Sequence, residues 1–407
     1  MSQATNPGAL AGVKVVDLSR ILAGPWATQM LADFGAEVIK IERPGQGDDT
    51  RTWGPPFFTQ SNGEPVAAYF HSANRGKRSL AVDITQAEGQ QLIYDLVREA
   101  DVLVENFKVG GLKKYGLDYT SLQAINPGLV YCSITGFGQD GPYKDRPGYD
   151  FMIQAMGGLM SITGEPDGTP MKVGVALADI LTGLYAANAI QAALHYRQRT
   201  GHGQHIDLAL LDVQVACLAN QGMNYLSSGK VPERLGNAHP NIVPYQAFAT
   251  EDGFVILAVG NDTQFQRFCE LAGCPELAQD ERYASNQNRV RHRDSLVPMV
   301  EARMRERSSD WWLTELAAAK VPCGPINTLD QVFADAQVQH RGMQLALHDA
   351  AQGEIPSIAN PIKFSASPVQ YDRPGPVLGG DTRTVLQQEL GLSDEQLAGL
   401  VERGVIG

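Results

Sequence analysis

A chain of 407 residues has the length of two or three domains and ample material for a packed core. Hydrophobic residues make up 43% and charged residues 19%, a globular composition that argues against intrinsic disorder. The formal net charge of −12 argues against sequence-independent nucleic-acid binding, although an acidic chain can still grip a polyanion by concentrating its cations locally.

The five cysteines, Cys132, Cys217, Cys269, Cys274 and Cys323, are scattered, with no CxxC pair and no Cys/His cluster. Neither a zinc site nor a disulfide framework is expected, and a reducing cytoplasm fits best. Residues 1–10 lack an apolar segment, so no signal peptide is expected. The longest apolar run, near 180–195, is interrupted by Thr182, Gly183, Tyr185, Asn188 and Gln191, which suits a core helix better than a membrane span.

In chain order, residues 13–19 read as a strand. A helix follows with Pro25 at its start and Gly35 at its end, and residues 36–42 form a second strand. This βαβ unit implies a parallel sheet. The pattern continues with strands at 79–83, 101–107 and 129–135 and helices over 86–98 and up to about 125. The strands are almost continuously apolar, as in a sheet covered on both faces, so this half is expected to be Rossmann-like α/β. Residues 136–150 are turn-rich. Gly136, Gly138 and Gly141 match GxGxxG literally, but Pro142 and Pro147 obstruct the helix that a dinucleotide fingerprint needs, so a loop turning against a ligand is the better reading.

A helix is expected over 179–197 with Asp179 as its N-cap, then a turn and strand over 201–211 and a helix over 211–227. A polar loop through Asn241 marks a domain boundary; a hairpin over 245–259 and helices at 262–271, 287–306 and 309–319 make a different, α+β region. Strand-like Gly324–Asn327 and Ile362–Ser365 are expected to return the chain to the first domain, and two helices close it, the last capped by Ser393. The expected division is a large domain over 1–227 and 325–407 and a small one over 228–324.

Cations group at the carboxyl ends of the predicted strands: Lys40 and Arg43, then Arg75, Lys77 and Arg78, then Lys108, Lys113 and Lys114. Ligands of parallel α/β sheets bind at such ends, and guanidinium and ammonium groups could grip phosphates there, although solvated cations are the commoner explanation residue by residue. The eight histidines show no metal spacing and none pairs visibly with Ser or Cys, so structural or exposed roles are expected. Asp179 has two readings: an ordinary cap, or a carboxylate nucleophile kept ionised by the helix dipole.

The segments Asp17-Leu-Ser-Arg-Ile-Leu-Ala-Gly-Pro25, Gly35-Ala-Glu-Val-Ile-Lys-Ile-Glu-Arg-Pro44, Asn74-Arg-Gly-Lys-Arg-Ser-Leu80, Ala100-Asp-Val-Leu-Val-Glu-Asn-Phe107 and Thr135-Gly-Phe-Gly-Gln-Asp-Gly-Pro142, with the Asp179 helix and Thr200-Gly-His-Gly-Gln204, run through nearly the whole chain in order. Together they resemble the class III (formyl-CoA transferase-like) CoA-transferases. Arg234–Phe248 and Val215–Asn220 look closest to the subgroup that uses succinyl-CoA with glutarate or hydroxymethylglutarate.

The resemblance implies a nucleophile at Asp179, which exchanges acyl groups through an aspartyl anhydride and an aspartyl-CoA thioester. It implies CoA contacts at Ile21, Leu22, Ala23, Arg43, Asn106 and Phe107. Leu22 stands where relatives often carry Gln, and Lys114 where they carry Arg, so charge is kept there and the bidentate fork lost. Trp53 matches an aromatic wall, and Gly236-Asn-Ala-His239 matches a flexible loop over the site. Arg75 and His239 are the first candidates to bind a distal carboxylate, with Arg20 and Lys172 behind them. The family also implies a homodimer of interlaced rings, each large domain completed by both termini, with CoA as substrate and no permanent cofactor or metal. The 2-methylacyl-CoA racemases of the same fold use a Gly-His-Asp segment; here it is Gly148-Tyr149-Asp150, and tyrosine is a poor base at neutral pH, so Tyr149 and Asp150 become site-lining candidates. A non-catalytic CoA-binding protein is the remaining alternative.

Overall fold

The computed structural model describes residues 7–60 and 63–407; the expectation about residues 1–10 lies partly outside them, at 1–6. The chain forms two compact units, one from residues 1–157, 174–217 and 336–407, the other from 158–173 and 218–335. These bounds differ from the expected ones: 158–173 and 218–227 go with the smaller unit, and the chain returns to the larger one at 336.

The larger unit is built on six parallel strands, β1 (Lys14–Asp17), β2 (Glu37–Glu42), β5 (Lys77–Ala81), β6 (Val102–Glu105), β7 (Val130–Thr135) and β8 (His205–Ala209), in the order β5-β2-β1-β6-β7-β8. A small hairpin, β3 (Phe57–Thr59) and β4 (Pro65–Ala67), lies between β2 and β5 in sequence. Successive strand side chains point to opposite faces. Val15 stands in register with Val38 and Val102, and these pack with Ala27 and Leu31 of α1 (Ala23–Asp33) and Ala186, Ala187 and Ile190 of α6 (Leu177–Thr200). On the other face Val16, Ile39 and Leu103 pack with Leu92, Ile93 and Leu96 of α3 (Ala87–Glu99) and with Val385, Leu397 and Leu400 near the carboxyl terminus. Both faces are covered, which is why the strands read as apolar runs.

Helix α6 differs from its expected start. It begins at Leu177, so Asp179 is its third residue and not its cap. By length and composition this 24-residue helix could cross a membrane, yet one flank packs into the core of the parallel sheet. It also meets α1 closely: a Cβ built on Gly183 would lie 2.8 Å from the Ala23 carbonyl oxygen and 3.0 Å from Trp26. The short α2 (Ala68–His71) and α5 (Asp150–Met156) complete the elements that matter for the site.

The smaller unit contains an antiparallel sheet of Tyr245–Ala249, Phe254–Ala258 and Cys323–Pro325 with helices at Asp262–Leu271, Asn286–Arg291, Arg293–Met304 and Ser309–Ala318. The strand expected to lead back to the first domain therefore pairs within this unit instead. Ile362–Ser365 forms no strand; the larger unit gains the hairpin Gln344–Asp349 and Gly353–Ile358 in its place.

Candidate active site

Asp179 lies in the first turn of α6, mostly buried. The cap it was expected to provide comes from Asp150 of α5, whose Oδ1 accepts the Ala178 N–H at 2.8 Å while its Oδ2 accepts from Gln154 at 2.8 Å. The Asp179 carboxylate takes no hydrogen bond or ion pair from any described residue. Burial first, and repulsion by Asp150 second, push it up to about 7. The helix dipole was expected to keep this carboxylate ionised; with the helix end satisfied by another carboxylate, desolvation prevails.

Tyr69 of α2 belongs to the same environment. Its phenol is pushed up by burial and by the charges of Asp179, Asp150 and Asp48. Trp53, 45% exposed, meets it edge-to-face with ring centroids 5.4 Å apart, so Trp53 stands one ring away from the Asp179 region. Tyr69 had no signal in the sequence beyond being aromatic.

The loop after β1 reaches α6 through the close α1–α6 packing: Ala23 opens α1, and Gly183 opposite it lies one helical turn beyond Asp179. Leu22 and Ala23 are buried, so they offer mainly backbone to a ligand. Ile21 has a φ of 71°, a left-handed conformation that a β-branched residue rarely adopts. Asn106 holds this loop by both backbone groups of one residue: its Oδ1 accepts the Arg20 N–H at 2.9 Å and its amide donates to the Arg20 carbonyl at 2.7 Å. Its side-chain amide is thus committed to the loop. Phe107 is half-buried against the core, with the Arg20 guanidinium 5.8 Å from its ring centre. Arg43 and Lys114 are exposed, the latter with its ammonium 4.5 Å from the Tyr115 ring centre. Tyr149 is 65% exposed.

Beneath this loop lies a buried charge network. The Asp17 carboxylate accepts from Thr28 at 2.6 Å and Lys77 at 3.0 Å, and Lys77 also donates to Asn74 and the Pro25 carbonyl. Burial would raise Asp17, but the Lys77 and Lys40 ammoniums outweigh it and hold the carboxyl below its ordinary range. Lys77 is itself pulled down to about 8 by burial, against the attraction of Asp17. Lys40 pairs with Asp48 at 2.9 Å and donates to the Ser19 carbonyl at 2.8 Å. Glu42 pairs with Arg51 at 2.7 Å. Lys40 and Lys77, grouped above with possible ligand cations, are fully buried and already paired.

Arg75 is corrected in the same way. Its guanidinium forks onto Asp33 at 2.7 and 2.6 Å and donates to the Ile358 carbonyl at 2.7 Å, so it ties the carboxyl-terminal hairpin to α1 and has little left for a substrate carboxylate. Arg20, half-exposed and paired only with the half-exposed Asp49 at 2.8 Å, is a freer cation.

In the smaller unit Gly236 has a φ of 57° and donates to the Gly164 carbonyl at 3.0 Å. His239 accepts the Asn241 N–H on Nδ1 at 3.0 Å, and burial, then the charge of Arg293, pulls its pKa down. Its Nδ1 is therefore engaged within its own loop. Arg293 donates to the His239 and Pro240 carbonyls and was missed in the sequence.

A cavity of about 410 Å³ opens beside Phe107, lined by Glu105, Lys108, Lys113, Tyr119, Ser133 and His205. Burial pushes Glu105 up to about 7 against hydrogen bonds from Ser133 and the Phe107 N–H. Ser133 Oγ and His205 Nε2 lie 2.9 Å apart, a Ser/His pair invisible in the sequence because it depends on β7 pairing with β8 across 72 positions.

Residues 10–382 match CoA-transferase family III. The chain belongs to that family. It is 56% identical over 380 residues to a succinate–glutarate CoA-transferase of Agrobacterium fabrum, covering 93% of this chain and 95% of that one. It is 43% identical over 406 residues to the human succinyl-CoA:glutarate CoA-transferase, covering 100% and 91%. A crystal structure of a CAIB/BAIF family protein from Brucella suis superposes with a TM-score of 0.84 at 55% identity, covering 95% of this chain and 100% of the other. A CoA-transferase needs a place for a thioester and a group that exchanges acyl partners.

Proposed function

We propose that the protein transfers CoA from succinyl-CoA to glutarate or a similar dicarboxylate, with Asp179 as nucleophile. The observation that carries this reading is a mostly buried carboxylate with no hydrogen-bond partner among the described residues, in the first turn of the helix that packs against the Ile21–Ala23 loop. An unpaired, desolvated carboxylate is costly to keep for stability alone and is reactive toward an acyl carbon.

In the proposed sequence the ionised Asp179 oxygen attacks the succinyl thioester carbonyl. The C–S bond breaks, giving a succinyl-aspartyl anhydride and CoA thiolate. The thiolate attacks the aspartyl carbonyl, releasing succinate and leaving an aspartyl-CoA thioester. The acceptor carboxylate attacks that thioester to form a second anhydride and thiolate. Thiolate attack on the acceptor carbonyl then yields the new acyl-CoA and restores Asp179. Each step exchanges one activated acyl bond for another, so no step is strongly uphill.

In this reading Ile21, Leu22, Ala23, Arg43, Phe107 and Lys114 face CoA, and Trp53 and Tyr69 wall the acyl end. Arg20, half-exposed, is a candidate cation for a distal carboxylate. Asp150 orients α6. The racemase alternative would need a second acid/base group, and Tyr149 is exposed and of the wrong type. We extend the proposal to a cytoplasmic homodimer of interlaced chains; the exposure of Leu184 and Tyr185 on α6, and of Met223, Tyr225 and Leu226 in the smaller unit, supports burial against another copy.

The test is mass-spectrometric detection of new thioesters from succinyl-CoA with single acceptors, glutarate, hydroxymethylglutarate, itaconate, malate and oxalate, using the unaltered protein and Asp179→Ala. A thioester formed only by the unaltered protein supports the reading, and the best acceptor identifies the substrate. Equal turnover in both would end it. Arg75→Lys separates structure from binding: losing the fork onto Asp33 should lower the urea midpoint, by about 1–3 kcal/mol in stability, with CoA affinity unchanged by calorimetry.

A further inference from the structure

We propose that Asp48, held as an anion by the buried Lys40, is the positioning residue of the CoA-binding loop: it locks Ile21 in the left-handed conformation that shapes the loop for CoA. This rests on the reading that Ile21–Ala23 contact CoA, and it adds a function for two buried groups outside the reacting centre.

The geometry is specific. Both Asp48 oxygens accept the Ile21 N–H, at 3.2 and 3.3 Å. Oδ2 also meets Lys40 Nζ at 2.9 Å, with both side chains fully buried. Lys40 Nζ in turn donates to the Ser19 carbonyl at 2.8 Å, two residues before Ile21. One ion pair therefore grips the loop at a carbonyl and at an N–H on either side of Arg20, while Asn106, just beyond the neighbouring parallel strand β6, clasps the Arg20 N–H and carbonyl.

An isoleucine at a φ of 71° would relax to an ordinary conformation unless its surroundings prevented it. Relaxation would turn the Ile21 N–H away and leave a buried carboxylate short of a donor, which is unfavourable. The strain is thus held by the charge beneath it. Asp48 Oδ1 also accepts from the Thr50 N–H at 3.0 Å and hydroxyl at 2.8 Å, so the same carboxylate starts the short 3₁₀ turn Asp49–Thr52 that leads into Trp53. The loop proposed for CoA and the aromatic wall at the acyl end are set by one group. Burial notwithstanding, Lys40 and the Thr50 N–H hold the Asp48 carboxyl at about 2, so the latch stays charged through the working range.

The test measures CoA affinity by calorimetry and succinyl-CoA kinetics for four proteins: unaltered, Asp48→Asn, Ile21→Gly and the double variant. Asparagine keeps the shape and loses the charge. Asp48→Asn should weaken CoA binding and raise the succinyl-CoA KM at least tenfold, with kcat within threefold and the acceptor KM unchanged. Glycine holds a positive φ without strain, so the double variant should regain at least threefold of that loss. A merely structural Asp48 would lower Tm without this KM split and without rescue by glycine, and either result overturns the proposal. Should Asp48→Asn not fold, Ile21→Gly decides alone: relief of held strain raises Tm, and a fall in Tm overturns it. If the unaltered protein binds no CoA, the functional reading fails and the inference with it; if it binds CoA and Asp48→Asn binds equally well, only the inference fails.

Discussion

Asp179→Asn is expected to reduce CoA transfer at least ~10³-fold while improving stability. The amide is isosteric but cannot form the anhydride, so the loss falls on the chemical step and not on CoA binding. Steady-state kinetics and CoA calorimetry on one preparation check this: kcat should collapse with the CoA affinity within about threefold. The stability gain follows from linkage. The Asp179 pKa is about 7 in the folded protein against an ordinary 3.8, so the native state binds this proton more tightly than the unfolded chain. Its contribution is favourable below pH 3.8 and is lost as the pH rises through 7. Above pH 7 the unaltered protein carries the whole penalty of a buried unpaired charge, and asparagine carries none. The Tm advantage of Asp179→Asn should therefore be a few °C at pH 8, smaller at pH 5 and absent near pH 3.5. An advantage independent of pH would mean that the carboxylate is not the source.

The same pKa fixes the acid limb of activity. Only the ionised form attacks the thioester, so kcat/KM in the free enzyme should fall tenfold per unit below about pH 7. Asp150→Asn tests the second cause of the shift. Asparagine still accepts the Ala178 N–H, so α6 keeps its cap, but the neighbouring charge is gone and the acid limb should move to lower pH. Burial remains the larger cause, so the limb should stay above the ordinary carboxylate range. A limb that does not move, with α6 intact by circular dichroism, would show that Asp150 exerts no electrostatic hold on Asp179.

Much of the parallel sheet was legible because its strands are buried on both faces and are separated by helices with recognisable ends, such as Pro25 in the first turn of α1 and Gly35 beyond its last. Local pattern failed where the deciding partner is distant. Asp179 looked like a helix cap because aspartate is a preferred one, yet the cap comes from Asp150, 29 positions earlier in the chain. Nothing near Asp179 in sequence reveals that its own carboxylate takes no donor from the described residues. Arg75 and Lys77 read as one basic cluster, and the structure sends the first to Asp33 and the second to Asp17. Lysines are rarely fully buried, so Lys40 and Lys77 were expected to be solvated or, as a group, to grip a ligand; their partners become neighbours only because β1 and β2 lie side by side and β5 flanks β2. Family resemblance proposes Asp179 as the nucleophile, but the state of its carboxylate is a property of packing.

The Asp17–Lys77 pair should carry the largest stability effect in the molecule. Both side chains are fully buried, and Asp17 also takes up the charge of Lys40 and the hydroxyl of Thr28. Asp17→Asn leaves Lys77 and Lys40 close together without one of the anions that balances them. Breaking a buried pair from one side leaves an uncompensated charge and is expected to cost about 3–5 kcal/mol, read as a lower urea midpoint at constant slope. Lys77→Met in the Asp17→Asn background removes that orphaned charge. Two neutral groups of similar bulk need no counterion, so the double variant should be more stable than Asp17→Asn alone despite having one more substitution. The pH dependence separates this from loss of packing. Asp17 has a depressed pKa when folded, so its stabilisation is present above the ordinary carboxylate range and lost as the pH falls through the lower, native value. The midpoint difference between the unaltered protein and Asp17→Asn should therefore shrink on acidification. A difference that stays constant from pH 7 downward, or a double variant no better than the single one, would mean that the pair contributes shape and not charge.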